Sequence, residues 1–197
     1  MNLRSIIMTA LFAALLVVGA YVIIPVGPVP ITLQTAFVLL VGILAGRKIA
    51  SAAVAIYLVL GAIGMPVFSG GIGGFAHFAG PTGGFLISWL IVAPIAGWCA
   101  DRIFRHDTVQ KQLSKRDLLW IILGTLLGTI AMYLIGIPYV KMILDLSWSQ
   151  AIGVGLLPFI PGDLLKAVAV VLLGNLFAVR VRTFISDGVV NEPDIER

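Results

Sequence analysis

Cysteine, histidine and formal charge are all scarce in this chain. One cysteine, Cys99, among 197 residues excludes a disulfide framework and a cysteine-built zinc cluster. Two distant histidines, His77 and His106, offer no metal-ligand spacing. Charged residues are only 11% of the chain, against about 25% in ordinary globular domains. Thirteen basic and nine acidic side chains are too few to clothe a soluble fold of this size. No Gly-Lys-Ser/Thr follows a glycine-rich stretch, so the chain has no ATPase phosphate loop. The apolar share of 60% excludes disorder, which needs low hydrophobicity and high charge. The net charge of +4 is no nucleic-acid footprint, because residues 5–46 and 49–100 carry no Asp, Glu, Lys or Arg at all. The basic residues stand in short clusters between apolar runs, which is the signature of a polytopic membrane protein.

A helix crossing the hydrocarbon layer needs roughly 20 apolar residues. That length predicts an all-α bundle of six transmembrane helices over about 5–24, 31–46, 49–64, 83–100, 118–137 and 162–179, with 180–197 as a tail. The whole of 1–197 reads as one integral-membrane domain. Arg4 before the first apolar run resembles a secretory signal, but the run is too long for one and five more follow, so it is expected to be retained. With the N-terminus cytoplasmic, eleven Lys and Arg lie inside: Arg4, Arg47, Lys48, Arg102, Arg105, Lys111, Lys115, Arg116, Arg180, Arg182 and Arg197. Only Lys141 lies outside. The positive-inside rule therefore predicts two cytoplasmic termini and puts the 65–82 and 138–161 segments on the external face.

Asp163 and Lys166 are the formal charges inside a predicted span. Ionisable groups there are expensive and point by default to function. Their i,i+3 spacing puts them on one helical face, able to grip a ligand together or to pair and hold the helix. Pro161-Gly162 marks the helix start, where the backbone favours an ionised Asp163. Ser69 to Gly84 holds seven glycines in sixteen residues, among them Gly71 and Gly73. Such backbone near membrane depth is tolerated where it is buried in protein or lines a cavity, so it reads as a lid over an external pocket, the alternative being a flexible surface linker. A Ser69–His77 catalytic pair lacks a third, orienting group. Thr32, Gln34 and Thr35 can offer uncharged hydrogen bonds at the external end of span two, or simply start the helix. Tyr139 and Trp148 read as interfacial belt residues. Ala10 and Ala14 form a small-xxx-small pair suited to close helix contact, within the chain or with another.

Three segments in order resemble one family. Gly27-Pro28-Val29-Pro30-Ile31-Thr32-Leu33-Gln34-Thr35 is similar to the start of the second helix in the BioY family of biotin-uptake proteins. Pro66-Val67-Phe68-Ser69-Gly70-Gly71, with Gly80-Pro81-Thr82-Gly83-Gly84-Phe85, resembles its glycine-rich loop, and Pro161-Gly162-Asp163-Leu164-Leu165-Lys166 its last-helix Asp-x-x-Lys element.

The resemblance implies a substrate-binding S component of an energy-coupling-factor transporter, not an enzyme. Such a component binds biotin without a cofactor, while two ATPases and a transmembrane coupling protein drive import. It implies that Asp163 and Lys166 meet polar ends of biotin: Asp163 accepts from a ureido N–H, and Lys166 donates to the ureido oxygen or the valerate carboxylate. Ala10 and Ala14 match the motif that docks the coupling protein. Some members offer an additional Arg or Asn to the carboxylate. Here the loop has Ile72 and His77 and span four is uncharged, which leaves His77, Thr82 and backbone N–H groups for that role. Gln34 and the loop glycines are expected to approach the ligand, and Phe68, Phe75, Phe78 and Phe85 to pack on its apolar parts. An S component for another vitamin, or an unrelated six-helix channel, are the rival readings.

Overall fold

The computed structural model describes residues 2–104 and 113–190, without the side chains of 187–190. Arg105, His106, Lys111, Arg197 and the tail beyond residue 190 lie outside the described residues. The elements run α1 (Leu3–Tyr21), β1 (Ile23–Ile24), β2 (Ile31–Thr32), α2 (Gln34–Ala62), α3 (Gly83–Ile103), α4 (Lys115–Ile143), α5 (Trp148–Gly155) and α6 (Ile160–Val190), with a 3-10 turn at Phe75–Ala79. Five of these helices are long and apolar enough to cross a membrane.

The sixth span is hidden inside α2. Gly46 breaks it with φ 81° and ψ 172°, a left-handed conformation suited to glycine. A Cβ there would also strike the side chains of Asp101 and Arg182. The Gln34 side chain donates to the Tyr57 hydroxyl. In a straight helix, residues 23 apart would be separated by about 35 Å, so the two halves must fold back on each other. Six antiparallel spans result, as the charge-free runs predicted. Small residues allow the closest packing: Gly42 lies against Ala93 and Ala96, and Gly97 against the backbone of Gly46 and Arg47.

The ends of the spans differ from expectation. Helix α1 stops at Tyr21, because Ile23-Ile24 pairs antiparallel with Ile31-Thr32 across the proline-rich turn. Pro138 does not end α4, which continues to Ile143. Membrane helices absorb such prolines where neighbouring groups re-satisfy the freed carbonyl. Helix α6 runs well past Val179, so part of the expected tail is helical.

One end of the bundle is a charged knot. Arg182 Nη1 lies 2.7 Å from Asp101 Oδ1 and its Nε donates to the Leu44 carbonyl at 2.9 Å. Its guanidinium also stacks 5.0 Å from the Phe104 ring. Arg47 approaches Asp101 at 3.8 Å. Nearby, Arg4 donates to the Phe184 carbonyl at 3.1 Å and joins the first helix to the last. The glycine-rich loop closes the other end. Ala10 and Ala14 are exposed on the outward side of α1, whereas Ala13 between them is buried. The small-residue pair is thus not used for packing within the chain.

Candidate functional site

Four stretches of chain meet beneath the loop. Helix α6 starts at Ile160, so Asp163 sits in its first turn, favoured there by the helix dipole. Lys166 lies one turn on, its Nζ 2.9 Å from Asp163 Oδ1 and 3.2 Å from Thr35 Oγ1 on α2. The two side chains are only 11% and 13% exposed. Tyr133 of α4 donates its hydroxyl to Asp163 Oδ2. The charged pair therefore clasps itself, yet neither group is saturated. The ammonium has three N–H donors with two used, and each carboxylate oxygen can accept a second bond.

These groups form one wall of a cavity of about 50 Å³. Thr32 and Gln34 of the second span line it, as do Ser69, His77 and Thr82 of the loop. The apolar lining comes chiefly from Phe85, Trp89, Met132 and Phe159. His77 Nε2 lies 3.1 Å from Thr82 Oγ1, and its ring stacks on Phe68 with centroids 5.1 Å apart. Burial holds the His77 pKa below its ordinary value, which favours the neutral ring.

The loop is strapped down from three helices. Tyr21 of α1 donates to the Pro66 carbonyl at 2.7 Å, Tyr57 of α2 to that of Val67 at 3.0 Å, and Tyr139 of α4 to that of Phe78 at 2.6 Å. At Gly61 the Phe68 ring packs so close to the helix backbone that no Cβ would fit.

Of the residues singled out from the sequence, the fold brings together Gln34, His77, Thr82, Phe85, Asp163 and Lys166 around this cavity. Gly71 and Gly73 do not line it. Gly71 lies beside the Tyr21 ring, and Gly73 against the backbone of Gly64 and Met65. Phe75 is turned away, 77% exposed, and with Phe78 borders an outward apolar groove between the second half of α2 and α3. Phe68 is fully buried as a prop behind His77. Tyr139 straps the loop rather than serving as a belt residue, while Trp148 is exposed beneath Lys141, whose Nζ is 5.4 Å from its ring. Sequence reading missed Tyr133 and Trp89, because aromatic residues inside an apolar run look like ordinary membrane filler.

Helices spanning a bilayer around a lidded pocket with few placed polar groups define a multi-pass membrane protein built to hold a small ligand. Residues 1–183 match the model of the BioY family. The biotin transporter BioY of Rhizobium etli is 40% identical over 182 residues, 91% of this chain and 95% of that protein. The biotin transporter BioY of Thermotoga maritima is 36% identical over 171 residues, 87% and 94% of the two chains. A crystal structure at 2.1 Å of the S-component for biotin from an ECF-type ABC transporter is similar with a TM-score of 0.75, at 30% identity over 91% of both chains. This chain belongs to the BioY family.

Proposed function

We propose that this chain is the S component for biotin in an energy-coupling-factor transporter, binding the vitamin at the external face and serving its uptake. The observation that carries the reading is the convergence of Asp163, Lys166, Thr35 and Tyr133 on one wall of an apolar, lidded cavity in a BioY-family chain. A cyclic urea presents N–H donors beside a carbonyl acceptor. Asp163 accepts and Lys166 donates, so the pair complements such a head group. Phe85, Trp89, Met132 and Phe159 suit the apolar ring and alkyl tail.

Ligand sites commonly span about 300–1,000 Å³, and this cavity encloses about 50 Å³. Loading therefore requires the glycine-rich loop to lift and the tyrosine straps to part. In this reading the charged knot and both termini face the cytoplasm and the loop faces outward, as supported by the Lys and Arg clusters through the positive-inside rule. The chain needs no cofactor. A transmembrane coupling protein and two ATPases supply the energy, and the exposed Ala10 and Ala14 offer the coupling protein a close-packing surface.

Isothermal titration of the purified chain in detergent tests the binding reading. Saturable, stoichiometric heat with biotin, without ions or ATP, is expected. Absence of both heat and thermal stabilisation would overturn it, and binding of a different vitamin in its place would redirect it. Replacing Ala10 and Ala14 together by Trp should abolish ATP-driven uptake and spare biotin binding; uptake that survives would remove α1 as the docking face.

A further inference from the structure

Two residues that line the lidded cavity carry polar atoms that take no part in the hydrogen bonding of the fold. Ser69 Oγ and Trp89 Nε1 are buried and have no hydrogen-bond partner among the described residues. Both residues line the cavity. Trp89 is 3% exposed, its ring held 5.9 Å from that of Tyr57. Buried polar groups are almost always paired, and an orphan in a native fold calls for an explanation. The indole N–H can only donate and the serine hydroxyl can donate, so what both lack is an acceptor.

The two walls of the cavity are chemically different. The α6 wall offers an acceptor and a cation side by side, Asp163 and Lys166, with two of the three Lys166 donors held by Asp163 and Thr35. The α3 and loop wall offers neutral donors. Helix α3 begins at Gly83, and Phe85, Leu86 and Trp89 from its first two turns line the cavity. Its N-terminal N–H groups and partial positive charge favour an anion on that side.

We infer that Ser69 Oγ and Trp89 Nε1 form the subsite for the carboxylate of the bound ligand, opposite the ureido subsite at Asp163 and Lys166. The inference rests on the biotin reading above. It makes the ligand itself a bridge between the last helix and the lid, because Ser69 belongs to the loop.

The test compares biotin with its primary amide, which keeps the shape of the tail but replaces one carboxylate oxygen with a donor group. The unaltered chain should bind biotin more tightly than the amide. Ser69→Ala and Trp89→Phe should each weaken biotin by about tenfold, the scale of a lost hydrogen bond to a charged group. The amide should lose no more than about threefold, since it gives up only a neutral contact. Lys166→Met should weaken both ligands to the same extent. Equal losses for biotin and amide in the Ser69 and Trp89 variants, or no loss in either, would overturn the assignment. Should Trp89→Phe fail to give folded protein, Ser69→Ala on the loop decides alone. An unaltered chain that binds neither ligand would instead overturn the biotin reading itself.

Discussion

Replacing Lys166 with Met removes the cation from the cavity while keeping the length of its stem. In the folded chain this deletes two contacts, to Asp163 Oδ1 at 2.9 Å and to Thr35 Oγ1 at 3.2 Å. Asp163, 13% exposed, is left with the Tyr133 hydroxyl as its one remaining side-chain partner among the described residues. Truncating one member of a hydrogen-bonded, desolvated charge pair costs about 2–5 kcal/mol. The lower figure alone corresponds to about 30-fold in affinity. Part of the cost falls on stability, because an unpaired carboxylate stays behind. The double substitution Asp163→Asn, Lys166→Met separates the two effects: it removes both charges and so restores most of the stability. Thermal unfolding in detergent and titration with biotin would be measured on all the variants. If the pair holds the ligand, the double variant is nearly as stable as the unaltered chain and still binds biotin at least about 30-fold more weakly. If folded Lys166→Met and the double variant both bind biotin within about twofold of the unaltered chain, the pair is only a helix clasp and the assigned site is wrong.

Other outcomes follow from the same geometry. Tyr133→Phe deprives Asp163 Oδ2 of its donor and should weaken biotin by about tenfold with little loss of melting temperature. Full-strength binding in titration would show that the hydroxyl is idle. Arg182→Met breaks the contacts to Asp101 and the Leu44 carbonyl at the far end of the bundle. It should cost about 2–3 kcal/mol of stability in denaturant unfolding while leaving biotin affinity unchanged. A fall in affinity of the folded fraction would contradict the separation of the two ends. His77 is neutral in the fold at a pH where the unfolded chain begins to take up a proton, because its pKa is lowered by burial. Unfolded protein then binds more protons, so stability is lost as pH drops below about 6.5 and levels off once pH falls beneath the folded pKa. Melting curves of His77→Gln between pH 5 and about 8 should lack this component; an unchanged slope would remove His77 as its source.

Much of the architecture was written in charge rather than in periodicity. Uncharged runs bounded by Arg47-Lys48, Arg102 and Lys115-Arg116 give six spans even though the backbone presents spans two and three as one interrupted helix. Asp163 and Lys166 were legible because a charge in an apolar run has no innocuous place. Tyr133 and Trp89 were not. In a membrane span, the lipid-facing and the pocket-facing sides are both apolar, so composition cannot tell which aromatic points inward. Phe75 illustrates the converse, an aromatic within the glycine-rich loop that faces away from the cavity. The Arg182–Asp101 pair was legible only as a topology signal, since the straight extension of α6 beyond the apolar run brings Arg182 back against α3. The prolines misled in both directions: Pro138 is absorbed within α4, while the Pro25–Pro30 stretch is spanned by a small hairpin.

The strap from Tyr21 to Pro66 has a mechanical corollary. Tyr21 and the exposed Ala14 stand on one rigid helix, about 10 Å apart along its axis. Tilting that rod by about 10° from the bilayer side moves its upper tip by about 2 Å, enough to carry a 2.7 Å hydrogen bond beyond its working range. The latch and the lever are a single piece of polypeptide, so force applied within the lipid is felt directly at the mouth of the pocket.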